Sequence, residues 1–236
     1  MKQAVIRLDD LSFAYPGHRV LTDASFAIYP GEYMSIIGPN GSGKSTLIKL
    51  IMGFLTPTSG RLVVHENRPG AIGYVPQRLN IDAQFPISVM ELVLSGRLYK
   101  LPWYGRYSDE DKKAALEALA KVKLTDFVNR PFGTLSTGQA QRALIARALA
   151  SNPHVLILDE PTASVDTESA DDINRILLSL KGTITILLIT HDLKKVIQDS
   201  DRVIIVQERL QVFTRDEVCA HFGFGLYHTP MLHTLH

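Results

Sequence analysis

The chemistry in this sequence starts at Gly38-Pro39-Asn40-Gly41-Ser42-Gly43-Lys44-Ser45-Thr46. The run fits G-x-x-x-x-G-K-[ST], a loop that binds phosphate through its backbone. Its glycines let successive N–H groups converge on one anion, and the N-terminus of a following helix adds partial positive charge. In this pattern Lys44 reaches the β- and γ-phosphates, the Ser45 hydroxyl holds Mg²⁺, and Thr46 supports the α-phosphate. A plain glycine turn needs no lysine and no pair of hydroxyls in register at a helix start.

Other residues carry compatible chemistry further along the chain. Asp159 and Glu160 close an apolar run over 154–160. Apolar residues on both faces predict a central parallel strand, and ligands gather at the carboxyl ends of such strands. There Asp159 is expected to serve the Mg²⁺ shell through water and Glu160 to polarise an attacking water. His191 follows a second buried run, 183–189, and is placed to contact a γ-phosphate and hold Glu160. Gln77, after the short strand 71–75 and Pro76, can carry an amide oxygen to Mg²⁺ or to that water; in isolation it reads equally as a turn residue. Ser136-Thr137-Gly138-Gln139 before a helix is either a simple N-cap or a second anion site. Tyr15, ahead of Pro16-Gly17, can stack on a base or simply pack on the core.

The elements that must position these groups follow from periodicity and turn residues. Short strands are expected at 4–8, 11–15, 25–28 and 61–65, forming an antiparallel sheet, with a buried strand at 33–37 entering the loop and a helix at 47–52 leaving it. Helices are expected at 88–96, from a capping box at 108–111, at about 140–150, and at 167–181. A hairpin closes the core at 201–206 and 210–213. The fold class is α/β: a mostly parallel P-loop core (1–84 and 151–215), an N-terminal antiparallel subdomain, an inserted α-helical lobe (85–150), and a tail (216–236).

Composition narrows the partners. At 236 residues and 45% hydrophobic, the chain can bury a sizeable core, and a net charge of +1 gives no electrostatic case for nucleic acid. One cysteine, Cys219, excludes an internal disulfide framework and suits a reducing compartment. The first residues lack the apolar run of a signal peptide, and no run reaches the roughly 20 apolar residues that span a bilayer. Any membrane role is therefore expected to pass through a partner.

Taken together over about residues 4–215, these motifs resemble the ATP-binding cassette (ABC) ATPases: aromatic Tyr15, Walker A at 38–46, Q-loop Gln77, signature at 135–139, Walker B at 155–159, catalytic Glu160, D-loop at 164–166 and switch His191. The resemblance implies an ATPase using Mg²⁺, held by Ser45, Gln77 and Asp159, and a head-to-tail dimer of two copies around two ATP molecules. Lys44, Glu160 and His191 would act from one subunit, with Ser136, Thr137, Gly138 and Gln139 reaching in from the other and Asp166 at the seam. Two positions depart from the family pattern. Thr137 stands where glycine is usual, which would strain a position needing positive φ, and Val165 replaces the usual middle of the D-loop.

A single cassette without a membrane span looks like the separate ATPase subunit of a bacterial-type importer. It would sit on the cytoplasmic face of the membrane with a permease and, indirectly, a solute-binding protein. The stretch 81–89 with Phe85-Pro86, followed by Glu91-Leu92-Val93, is similar to the zinc and manganese importers. Gly96-Arg97 with Pro102-Trp103 keeps the iron–siderophore and cobalamin group as an alternative, and a non-transport cassette acting on nucleic acid or the ribosome is the reading from a different class. His221, His228, His233 and His236 crowd the tail, as either a weak zinc-binding element or a packed end.

Overall fold

The computed structural model describes residues 3–65, 68–77, 85–103, 105–207 and 209–218. Strand β1 (Ile6–Tyr15) is continuous where the sequence suggests two short strands. Asp10 adopts φ 46°, and the register against β2 (His18–Ile28) slips between Leu8 and Leu11. A bulge thus absorbs the polar pair Asp9-Asp10 that reads as a break. β2 begins well before the expected 25–28. With β4 (Ser59–Val64) these strands make an antiparallel sheet in the order β2-β1-β4.

The second sheet has the order β5-β6-β7-β3-β8-β9. It contains β3 (Tyr33–Ile37), β5 (Ile72–Val75), β6 (Val155–Asp159), β7 (Thr185–Ile189), β8 (Arg202–Val206) and β9 (Leu210–Thr214). All its pairings are parallel except the β8–β9 edge hairpin. Every residue of β3 and β7 is buried, as the continuous apolar runs require of strands covered on both faces.

Alternate residues of this sheet feed two cores. Ile36, Ile157, Leu187 and Ile204 pack with α1 (Lys44–Ile51) and the inner face of the antiparallel sheet. Leu156, Leu158, Ile186 and Leu188 face the other way, against α5 (Thr167–Leu180) and a helical region of α2 (Val89–Leu94), α3 (Asp109–Lys121) and α4 (Thr137–Ala150). α2 is shorter than the expected 88–96: its last turns tighten into a 3-10 segment over 95–100. α4 starts three residues before the expected 140, because Ser136 and Gln139 cap it reciprocally. A short helix that the sequence analysis did not assign, α6 (Leu193–Asp199), follows β7; Asp192 caps it, and Leu193, Val196 and Ile197 form its one apolar face.

Arg97, 1% exposed, pins the helical region. Its Nε donates to Asp111 Oδ1 at 2.5 Å and its guanidinium also donates to the Ala150 carbonyl at 2.7 Å, joining the 3-10 segment, α3 and the C-terminal end of α4. Removing one partner of such a buried pair typically costs about 3–5 kcal/mol. Residues 81–84, Tyr104, Glu208, Cys219 and the four tail histidines lie outside the described residues.

Candidate functional site

The glycine loop leaves β3 and enters α1 as the motif predicts. Gly38 has φ 152°, and a Cβ there would lie 2.2 Å from the Val206 carbonyl oxygen. Gly43 caps α1 in a left-handed conformation, φ 106°, where a Cβ would lie 2.6 Å from Val20. Both positions therefore exclude side chains. No side chain caps α1 and no acid stands in its first turn, so its leading N–H groups are open to an external anion. Ser42 Oγ is buried in the same loop with no protein hydrogen-bond partner.

Lys44 is largely buried, and its Nζ donates to the Gly38 and Pro39 carbonyls at 2.7 and 2.9 Å. Burial lowers its pKa, while Glu160 and Asp159 oppose that shift. Ser45 is exposed in the first turn of α1 and Thr46 is buried beside it.

Facing the loop is the end of β6. Glu160 is held from both sides: Gln77 Nε2 donates to one carboxylate oxygen at 2.7 Å, and His191 Nε2 lies 2.6 Å from the other. Glu160 itself adopts φ 47°, a sparsely populated conformation for a side-chain-bearing residue, while its N–H still donates to the Ile189 carbonyl. Asp159 is half-buried. Burial and the adjacent Glu160 charge push its carboxyl above the usual range, against the pull of Lys44 and of the nearby Tyr74. The Tyr74 phenol is pushed up by burial and by Asp159.

Lys44, Ser45, Thr46, Gln77, Asp159, Glu160 and His191 line one cavity of about 630 Å³, together with Asn40, Gly41 and Gly43 of the loop and Tyr15. The Tyr15 ring meets Phe13 edge-on at 5.0 Å and is 38% exposed, which leaves a face available for stacking. His18, paired with Tyr15 across the β1–β2 turn, and Val20 also line the cavity. The sequence reading missed both, and it missed Tyr74. The signal for Tyr74 lies in strand pairing, since β5 runs beside β6, and pairing across 83 residues leaves no local mark.

Ser136, Thr137, Gly138 and Gln139 do not line this cavity. Ser136 Oγ accepts from the Gln139 N–H at 3.2 Å, and the Gln139 side chain accepts from the Ser136 N–H at 3.0 Å. Thr137 is the first residue of α4 and is absent from the positive-φ residues, so the strain that a glycine position would impose does not arise. Gly138 is buried where a Cβ would lie 2.2 Å from Ser169 Oγ of α5. Asp166 caps α5 by accepting from the Ser169 N–H at 2.9 Å, and that bond holds its carboxyl below the usual range.

Among the described residues no cluster of three or more His, Cys, Asp or Glu could hold a metal by itself. A hydroxyl (Ser45), an amide (Gln77) and a half-buried carboxylate (Asp159) around one cavity are hard oxygen donors. That set fits Mg²⁺ completed by phosphate and water rather than an all-protein cage. The arrangement supports phosphate binding at α1, a divalent cation beside it, and a carboxylate set to orient water.

Comparison with known proteins agrees with this geometry. The family described as "ABC transporter" matches residues 21–163. A Chlamydia trachomatis protein named "Probable metal transport system ATP-binding protein" is 47% identical over 208 residues, covering 86% of this chain and 88% of its own length. The Bacillus subtilis "High-affinity zinc uptake system ATP-binding protein ZnuC" is 41% identical over 207 residues, covering 85% and 90%. Among solved structures, the ADP conformation of MJ1267, an ATP-binding cassette of an ABC transporter, superposes with a TM-score of 0.82 at 27% identity, covering 94% of this chain and 95% of that one.

Proposed function

Because the chain belongs to the ABC transporter family, we propose that it is the ATP-hydrolysing subunit of an importer for a divalent metal ion, zinc or manganese. The observation that carries the hydrolytic reading is Glu160, gripped by Gln77 and His191 over the phosphate loop. The cargo rests on relatives named for zinc uptake and manganese transport.

Each residue has a task in this reading. Phosphate oxygens replace the Gly38 and Pro39 carbonyls as partners of Lys44, and the open N-terminus of α1 completes the cradle. Ser45, Asp159 and Gln77 would hold Mg²⁺, which supplies neutralisation of charge on the β- and γ-phosphates. Glu160 orients the attacking water and takes up proton density, while His191 fixes its carboxylate. Tyr15 stacks on the base.

The remaining half of the site comes from a second copy. Residues 136–139 stand outside their own chain's cavity, as a head-to-tail dimer requires of groups that act on the partner's γ-phosphate, with Asp166 at the seam. A dimeric post-hydrolysis form is known for the cassette MJ0796, which is 29% identical and superposes with a TM-score of 0.75 over 89% of this chain and 98% of that one. Among the described residues no helix is long and apolar enough to cross a membrane, so the chain would reach the cytoplasmic face through a permease. The stretch after Gln77, residues 81–89, is where the permease would be touched. A solute-binding protein would deliver the cargo, which this subunit need not touch.

The test is uptake of labelled zinc, manganese and iron in cells carrying the protein or its Glu160→Gln variant. Uptake of zinc or manganese should fall to background, with purified turnover down about 100-fold or more and nucleotide binding retained. Normal turnover in the variant would overturn the hydrolytic role. Unchanged zinc and manganese uptake would overturn the cargo and favour an iron–siderophore or cobalamin importer.

A further inference from the structure

His18 lines the nucleotide cavity and has no task in the proposed function. It follows the two-residue turn Pro16-Gly17, where Gly17 takes φ 77°, and stands directly across from Tyr15. Residues facing each other across an antiparallel pair lie about 5 Å apart with their side chains on one face. Val20, two residues further along β2, lines the same cavity. It closes on the start of α1, since a Cβ at Gly43 would lie 2.6 Å from Val20 Cγ1. Tyr15, His18 and Val20 thus form one wall that runs from the aromatic ring to the phosphate loop, with His18 between the other two.

The three side chains differ in what they can bond. Val20 offers packing alone, and Tyr15 offers a ring face. The His18 imidazole is exposed, and among the described residues nothing hydrogen-bonds to it. A neutral imidazole carries one donor and one acceptor nitrogen, which matches a sugar hydroxyl that is itself donor and acceptor. Anion binding is supplied elsewhere on this cavity, by Lys44 and the uncapped N-terminus of α1. The guanidinium of Arg19, between His18 and Val20, does not line it. The wall next to Tyr15 therefore suits a neutral polar group better than a phosphate.

We propose that His18 hydrogen-bonds a ribose hydroxyl of the bound nucleotide, so that the site selects ribonucleotides. The inference rests on the nucleotide reading above, with phosphate at α1 and the base on Tyr15. A nucleotide that spans those two points lays its sugar along Val20 and His18.

The experiment measures the affinity of the full chain for ADP and for 2′,3′-dideoxy-ADP, which lacks both ribose hydroxyls, with and without His18→Ala. The unsubstituted protein should bind ADP about fivefold more tightly than the dideoxy form. His18→Ala should lose that fivefold for ADP and leave dideoxy-ADP unchanged, which removes the discrimination. His18→Gln, which keeps a donor and an acceptor, should restore part of it. Tyr15→Ala should weaken both nucleotides alike and leave their ratio intact. Equal affinity of the unsubstituted protein for the two nucleotides overturns the proposal. So does an equal loss for both in His18→Ala, which marks a packing or phosphate contact. A protein that binds neither nucleotide overturns the nucleotide reading and this inference with it, whereas a failure of the ratio alone leaves that reading standing.

Discussion

Two helix N-termini in this protein are finished in opposite ways. α1 begins at Gly43, with no side-chain cap and no acid in its first turn. α4 begins at Ser136, with a complete capping box closed by Gln139. At α1 the leading N–H groups keep their hydrogen-bonding capacity for a ligand, and the backbone itself is the binding site. At α4 the Gln139 N–H is already satisfied by Ser136. What α4 can still offer is the Ser136 hydroxyl proton, since that oxygen accepts within the helix and donates outward, together with the N–H groups of its first turn. The first terminus leaves its N–H groups unclaimed by its own side chains, as the proposed phosphate site needs. The second is a stable, self-satisfied end that can be presented to a nucleotide bound elsewhere.

The strongest way to break the comparison is at Gly43. Gly43→Ala puts a Cβ at φ 106° and 2.6 Å from Val20. Positive-φ strain alone costs about 1–2 kcal/mol, and the clash must move either the β2 wall or the loop. We expect nucleotide affinity to fall more than tenfold, with a lowered melting temperature, measured by calorimetry and thermal unfolding. Wild-type affinity would mean that the loop tolerates rearrangement and that α1 is not a preformed cradle.

The contrast was only partly legible in the sequence. Gly38 to Thr46 announces its own conformation, because a lysine and two hydroxyls after spaced glycines have few structural uses. The run ending at Asp159 was equally plain, since five consecutive apolar or strand-end residues leave one choice, a strand covered on both faces. The start of α4 was placed three residues late because Ser-Thr-Gly-Gln has loop composition, and only the reciprocal bonds between Ser136 and Gln139 make it a helix end. α6 went unassigned because its seven residues carry a single apolar set at i, i+3 and i+4, Leu193, Val196 and Ile197, which is too short to stand out as a helix. His18 and Val20 were missed because they reach the cavity through the β1–β2 turn. Tyr74 was missed because its place near Asp159 depends on which strand β5 pairs with. Local pattern encodes the cradle, and sheet order encodes what supports it.

At Ser136 the expected effect is smaller on the fold and divided between two readouts. Ser136→Ala removes a cap worth about 1 kcal/mol of stability. It should leave the nucleotide affinity of the isolated chain unchanged, because Ser136 does not line that chain's cavity. Turnover should nevertheless fall about tenfold, through the copy that loses the hydroxyl donor. Equal losses of affinity and turnover would place Ser136 in its own chain's site and end the division between the two helix starts.

The smallest effect is expected at Thr137, where the sequence departs from the family pattern and the structure gives the reason it can. Thr137 sits at the first helical position without positive φ, so glycine is not required there. Its neighbour Gly138 is the constrained one, with Ser169 of α5 occupying the space a side chain would need. Thr137→Gly should therefore change stability by no more than about 0.5 kcal/mol and turnover by less than about twofold. A large gain in turnover would show that the threonine obstructs the partner's nucleotide. A large loss would show that its hydroxyl contributes a contact there, making α4 a site with two side-chain donors where α1 relies on its backbone.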